Sequence, residues 1–201
     1  MQARARRTRT RILESASAAF ARDGYERTSL NEVIRASGLT KGAFYFHFGS
    51  KEELAHAAFR HKQEQLVERT VAEAGEQPDA LAQLEATLRA RVRVLREDPA
   101  LGCVLRLGSE LGATAGPGSE FASFQESTIE YVSDLVRRGQ SEGVFRTDLE
   151  PRATGEGIFA AMVGADRVSR LLSGRSDLER RTEKLLDLLV NGLRDGERSM
   201  K

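Results

Sequence analysis

One stretch, Thr28 to Lys51 (TSLNEVIRASGLTKGAFYFHFGSK), limits what this chain can fold into more than any other. It reads as two short helices about a sharp turn. Thr28 or Ser29 can cap the first. Ser29 and Glu32 have the S-x-x-E spacing of a capping box, in which each side chain satisfies a backbone donor of the other residue. Leu30, Val33 and Ile34 then share one face at helical spacing. Gly38 stands where the chain must turn, and glycine takes the left-handed conformation there without strain. Leu39 is a buried turn residue and Thr40 can cap the second helix, Lys41 to His47. Ser50 and Glu53 form a second S-x-x-E pair that opens a long helix.

Two helices around a glycine-containing turn describe a helix-turn-helix, whose second helix enters the DNA major groove. The residue types suit that task. Gly42 and Ala43 carry little bulk and permit close approach. Lys41 can donate to guanine O6/N7 or to a phosphate. Tyr45, His47 and Lys51 are donors suited to phosphate oxygens, which fix register rather than sequence. Phe44 and Phe48 are expected in the core. The candidate DNA-binding set is Ser29, Asn31, Thr40, Lys41, Gly42, Ala43, Tyr45, Phe46, His47 and Lys51. Any one of these residues is equally at home on a solvated amphipathic hairpin. The agreement of caps, turn glycine, small residues and cations is what favours DNA.

GLTKGAFYFHFGSKEEL, with the upstream RTRILESASAAFARDGYERTSLNEVI, resembles the DNA-binding domain of the TetR family of bacterial transcriptional repressors. TKGAFYFHF followed by SKEELAHA is most similar to the γ-butyrolactone autoregulator receptors of actinomycetes. The resemblance implies an all-α fold of about nine helices. It places a three-helix DNA-binding head at residues 1–50 and a ligand-binding and dimerisation domain at 51–201. It also implies a homodimer that binds a palindromic operator, represses transcription and is released by a small molecule.

The distribution of charge agrees. Net charge is +1, but residues 1–50 carry +5 and the remainder −4. A basic end on an acidic body is the electrostatic footprint of a DNA-binding head on a different kind of domain. Residues 1–7 (MQARARR) read as a basic arm, either solvated or in contact with phosphate or the minor groove. Helical periodicity is expected from Thr8. The single Cys103 excludes an internal disulfide and fits a reducing, cytoplasmic setting. No apolar run is long enough for a membrane span, and the N-terminus is too polar for a signal peptide.

The remaining chain divides into helices at about 50–74, 79–97, 101–111, 120–141, 153–172 and 177–193, with a flexible loop expected at 112–119. The central helices supply candidates for an apolar pocket with a few polar groups: Leu88, Val92, Cys103, Leu107, Phe121, Phe124 and Tyr131. Residues of this kind at helical spacing also make plain core. The last two helices are rich in small residues and leucines. They are read as half of a four-helix bundle between two copies, with Ala161, Gly164, Val168, Leu185 and Leu189 at the interface.

The autoregulator receptors typically place a tryptophan in the pocket. This chain has none, and by the local pattern SEFASFQ Phe124 stands there. A pseudo-receptor answering an antibiotic or biosynthetic intermediate is therefore the alternative ligand class. His56 and His61 are five residues apart, which fails the i, i+4 test for a helical zinc pair, so no metal is expected. No nucleophile–base motif or nucleotide loop supports an enzyme, and no cofactor is expected. A sequence-independent architectural DNA binder is the remaining rival, and the acidic C-terminal part argues against it.

Overall fold

The structure, a computed structural model, describes residues 2–194. The regular structure of the described residues is helical: α1 (Gln2–Asp23), α2 (Leu30–Ser37), α3 (Lys41–Tyr45), α4 (Lys51–Ala74), α5 (Ala80–Glu97), α6 (Gly102–Glu110), α7 (Gly112–Ala115), α8 (Glu120–Ser141), α9 (Pro151–Ser173) and α10 (Leu178–Leu193). Setting aside the four-residue turn α7, nine helices remain, as expected. A 3-10 turn at Pro99–Leu101, capped by Asp98, precedes α6. None of the described helices is long and apolar enough to cross a membrane.

Two boundaries differ from expectation. Helix α1 begins at Gln2, six residues before Thr8, so residues 2–7 of the basic segment extend the helix rather than forming a separate arm. Alternating Ala and Arg are strong helix formers, and the Thr8 hydroxyl donates to the Arg4 carbonyl (3.0 Å) within the helix. The expected loop at 112–119 opens with α7 and is a turn only from Gly116, whose φ is +73°. Met1 and the last seven residues of the expected second domain lie outside the described residues.

The chain forms two compact units. The first holds residues 1–68 and 95–122, and the second residues 69–94 and 123–201. Helices α4, α5 and α8 therefore contribute to both. The first unit is built on Ile12, Ala16, Phe20, Val33, Phe44, Phe48, Leu54, Phe59, Leu107 and Phe121, all buried. Phe59 and Phe121 meet edge to face with centroids 4.6 Å apart, a preferred aromatic geometry. The core of the second unit is Leu81, Leu84, Leu88, Val132, Leu135, Val136, Phe145, Ile158, Leu186 and Leu193. Two glycines there are required by packing: a Cβ at Gly139 would lie 2.0 Å from the Phe145 ring, and one at Gly155 would lie 2.3 Å from the Ser133 hydroxyl.

Candidate nucleic-acid interface

Local sequence builds the helix-turn-helix. The Glu32 N–H donates to the Ser29 hydroxyl (3.2 Å), capping α2. The reciprocal half of the capping box is absent: the Glu32 carboxylate accepts from Arg22 (2.5 Å) instead, tying α2 to the end of α1. Gly38 closes α2 at φ +61°, donating to the Arg35 carbonyl. The Ala43 N–H donates to Thr40 Oγ1 (3.2 Å), capping α3. Caps of this kind are each worth about 1 kcal/mol. Ser50 caps α4 through the Glu53 N–H (3.0 Å), and Glu53 reaches back one residue further than a capping box would, to the Gly49 N–H (2.8 Å).

Helix α3 stands on two aromatic feet. Phe44 and Phe48 are fully buried, with ring centroids 6.2 Å apart, and the Arg9 guanidinium lies over the Phe48 ring at 5.1 Å. Each buried ring contributes about 1.5–3 kcal/mol toward holding the short helix in place. The opposite side is open. Lys41 and Gly42 are exposed, Tyr45 is half exposed and Phe46 is 81% exposed. A Cβ at Gly42 would meet nothing within 4 Å. Asn31 is exposed on α2. His47 is partly covered, edge-on to Phe46 at 5.1 Å. Ser29 and Thr40 are exposed, but their hydroxyls already accept cap hydrogen bonds. Lys51 donates to the Glu26 carbonyl (3.1 Å) and sits over the Tyr25 ring at 4.4 Å, so it braces the turn after α1 from below.

Sequence reasoning missed the clamp that fixes α1. Arg106 on α6 donates to the carbonyls of Arg22 (2.6 Å) and Asp23 (2.8 Å), the orphan acceptors at the C-terminus of α1. Its partner Glu110, at 3.0 Å from Arg106 Nε, accepts from the Tyr25 N–H (2.6 Å). Gly24 lies between them at φ +85°, where a Cβ would come within 2.5 Å of Glu110. An i, i+4 Arg–Glu pair reads in sequence as a solvated helix face, and nothing local marks it as a clamp.

The pocket candidates have differing surroundings. In the first unit Cys103, Leu107 and Phe121 are fully buried. Burial pushes the Cys103 thiol up to about 12, so the thiol is not a nucleophile at neutral pH. In the second unit Leu88 and Val92 are buried, Phe124 is partly buried, and Tyr131 is 40% exposed with its hydroxyl 3.1 Å from Thr87 Oγ1.

Among the interface candidates, Val168 is exposed, while Ala161, Gly164, Leu185 and Leu189 are partly buried. Leu189 packs against the core of the unit, and Gly164 opens onto free space. Three more exposed leucines, Leu171, Leu172 and Leu188, join this face. Their helical spacing from Val168 and Leu185 is the signal that could have named them.

Comparison with known proteins agrees with this geometry. Residues 12–58 match the family described as bacterial regulatory proteins, tetR family. The chain is 30% identical over 184 residues to the A-factor receptor protein of Streptomyces griseus, covering 88% of this chain and 60% of that receptor's length. Among solved structures it resembles full-length native TylP, a TetR regulator from Streptomyces fradiae, at 32% identity and a TM-score of 0.73, covering 95% of this chain and 88% of that one. It also resembles a γ-butyrolactone receptor (ArpA-like protein) at 27% identity and a TM-score of 0.76, covering 96% of this chain and 90% of that one. With residues 12–58 matching the family and likeness to a TetR regulator extending over nearly the whole length, the chain belongs to the TetR family of bacterial regulatory proteins.

Proposed function

We propose that the protein is a homodimeric transcriptional repressor that reads a palindromic operator and is released by a small organic effector. The observation that carries this reading is the open side of α3: Lys41, Gly42, Tyr45 and Phe46 exposed above buried Phe44 and Phe48. A helix so presented can enter a major groove. Residues 1–50 supply this function, and residues from 51 on supply effector binding and dimerisation. The arginines that extend α1 at Arg4, Arg6 and Arg7 add exposed positive charge to the same end of the chain. Two heads must sit about 34–36 Å apart to meet successive half-sites. The exposed leucines of α9 and α10 are the dimer surface that would set this distance. The protein acts in the cytoplasm, where its operator is.

Release works through the supports of the head. The clamp from Arg106 and Glu110 to the end of α1, and the Glu32–Arg22 pair, join α6, α1 and α2. A shift of α6 or of the first turns of α4 therefore moves the whole head rather than bending it. An effector that binds the released state a few kcal/mol more tightly than the DNA-bound state shifts the population.

The likeness to the A-factor receptor supports a γ-butyrolactone effector, and the lack of tryptophan favours the second reading, a pseudo-receptor for another small molecule. The test is a gel shift with the DNA upstream of the protein's own gene. Lys41→Ala should weaken binding by about 1–3 kcal/mol and relax specificity at one position. Tyr45→Phe should weaken it uniformly and less. Unchanged binding in both variants would overturn the assignment of α3.

A further inference from the structure

Phe46 is the most exposed large apolar side chain among the described residues, at 81%. It closes α3 with helical backbone (φ −64°, ψ −28°), and its N–H donates to the Gly42 carbonyl at 3.1 Å. It therefore still follows the helical wheel. Residues four apart share a helix face, which puts Phe46 one turn beyond Gly42 on the open side of α3. Phe44 and Phe48, two residues to either side, are fully buried and fix the backbone from which the ring projects. The ring meets His47 edge-on at 5.1 Å. A Cβ at Gly42 would meet nothing within 4 Å, so the turn beside the ring is bare.

A phenyl ring has no donor or acceptor, so Phe46 cannot hold a phosphate oxygen as the Tyr45 hydroxyl can. Its partner must offer an apolar group. The cations nearby say what else that partner carries. Among the described residues no carboxylate pairs with Lys41 on α3, or with Arg4, Arg6 and Arg7 on α1. Arginines elsewhere are tied down: Arg89 to Glu85 and Glu183, and Arg152 to Glu126 and Glu156. An apolar ring on a surface of unpaired cations fits a partner with anions around an apolar group. Duplex DNA has that combination. The thymine C5-methyl is the apolar group presented in the major groove, and phosphates run along both of its walls. An apolar protein face would cover the ring and leave the cations unanswered.

We propose that Phe46 is a specificity-determining residue whose ring meets the C5-methyl of a thymine in each operator half-site. This rests on the reading of α3 as the helix that enters the major groove, and it adds one base to what that helix specifies. Tyr45 then fixes register on a phosphate, Lys41 donates to a guanine or a phosphate, and Phe46 supplies the apolar contact. Two copies related by a two-fold axis require one such thymine on each side of the palindrome.

The experiment uses the full chain and duplexes that the natural protein selects from a random pool. Each thymine of the selected site is replaced in turn by deoxyuridine, which removes the methyl group and keeps the base pair. At one position per half-site this should weaken binding about fourfold, and about fifteenfold when both half-sites are changed. Phe46→Ala should weaken binding to the thymine duplex at least as much and be indifferent to deoxyuridine at that position alone. Phe46→Leu, which keeps an apolar side chain, should retain part of the discrimination, and it carries the test if Phe46→Ala does not fold. A scan with no sensitive position, or sensitivity that survives Phe46→Ala, overturns the methyl contact and leaves α3 in the groove. Equal weakening by Phe46→Ala on thymine and deoxyuridine duplexes gives the ring to the sugar–phosphate backbone and overturns it too. A natural protein that enriches no duplex overturns the groove helix itself, and the methyl contact with it.

Discussion

Each unit of this protein places a cation among its core helices, and the two are treated oppositely. In the first unit Lys62 is 2% exposed, and its ammonium lies 2.6 Å from Glu14, 3.0 Å from Gln65 Oε1 and 3.5 Å from Asp98. Its three donors are matched. In the second unit Arg91 stands partly accessible in the otherwise buried row of α5, and nearby Asp166 is paired with Arg175. The first cation is a structural rivet, and the second has no such set of contacts. The difference teaches that burial alone does not assign a role to a charge; the saturation of its hydrogen bonds does.

The comparison breaks most visibly at Glu14. Glu14→Gln should destabilise the protein by about 2 kcal/mol, less than the roughly 3–5 kcal/mol for stripping a buried charge of its only partner, because Asp98 remains. Denaturant titration measures this. Glu14 also fixes the pH dependence. Burial raises its pKa, but hydrogen bonds from Lys62 and His61 overcome that and leave it below its ordinary 4.5. A carboxylate lowered in the folded state stabilises at neutral pH and loses that contribution as pH falls below the ordinary value and through the lowered one. The gap between natural protein and Glu14→Gln should therefore narrow as pH falls through the carboxylate range.

Arg91→Met should do the reverse in stability. Replacing a partly accessible cation in a row of buried apolar residues by an apolar side chain of similar length should be neutral or stabilising by up to about 1 kcal/mol. A loss as large as that of Glu14→Gln would make Arg91 a second rivet and erase the contrast. The smallest expected effect is at Cys103, beside the rivet. With its thiol pushed up to about 12 and fully buried, it should resist iodoacetamide in the native protein at pH 8 and react on unfolding. Rapid native alkylation would show that the first unit opens around Lys62 and is less tightly closed than its ion pairs imply.

Much of the helix-turn-helix was legible in the sequence. Ser29, Gly38, Thr40 and Ser50 sit where the caps and turn require them, because such signals act over three or four residues. The charge of residues 1–7 suggests an arm, yet α1 starts at Gln2, since Ala–Arg alternation is helix-forming whatever its charge. Glu32 left its capping box for Arg22, ten residues away, since a charged partner outbids a backbone N–H. Arg91 was legible in principle, as a cation in a row of leucines, but Arg is common throughout this chain and the row alone does not say what lies opposite.

By itself the sequence determined most of the helices, the turn between α2 and α3 and the small residues of α3, because each depends on neighbours within about one helical turn. Only the tertiary structure decided which charges are matched. Lys62 meets Glu14 and Asp98, Arg106 meets the end of α1, and Arg175 reaches Asp166 ahead of Arg91. All but the last of these pairs join residues dozens of positions apart. In each case the outcome follows from which helix faces pack together, and spacing along the chain carries no record of that.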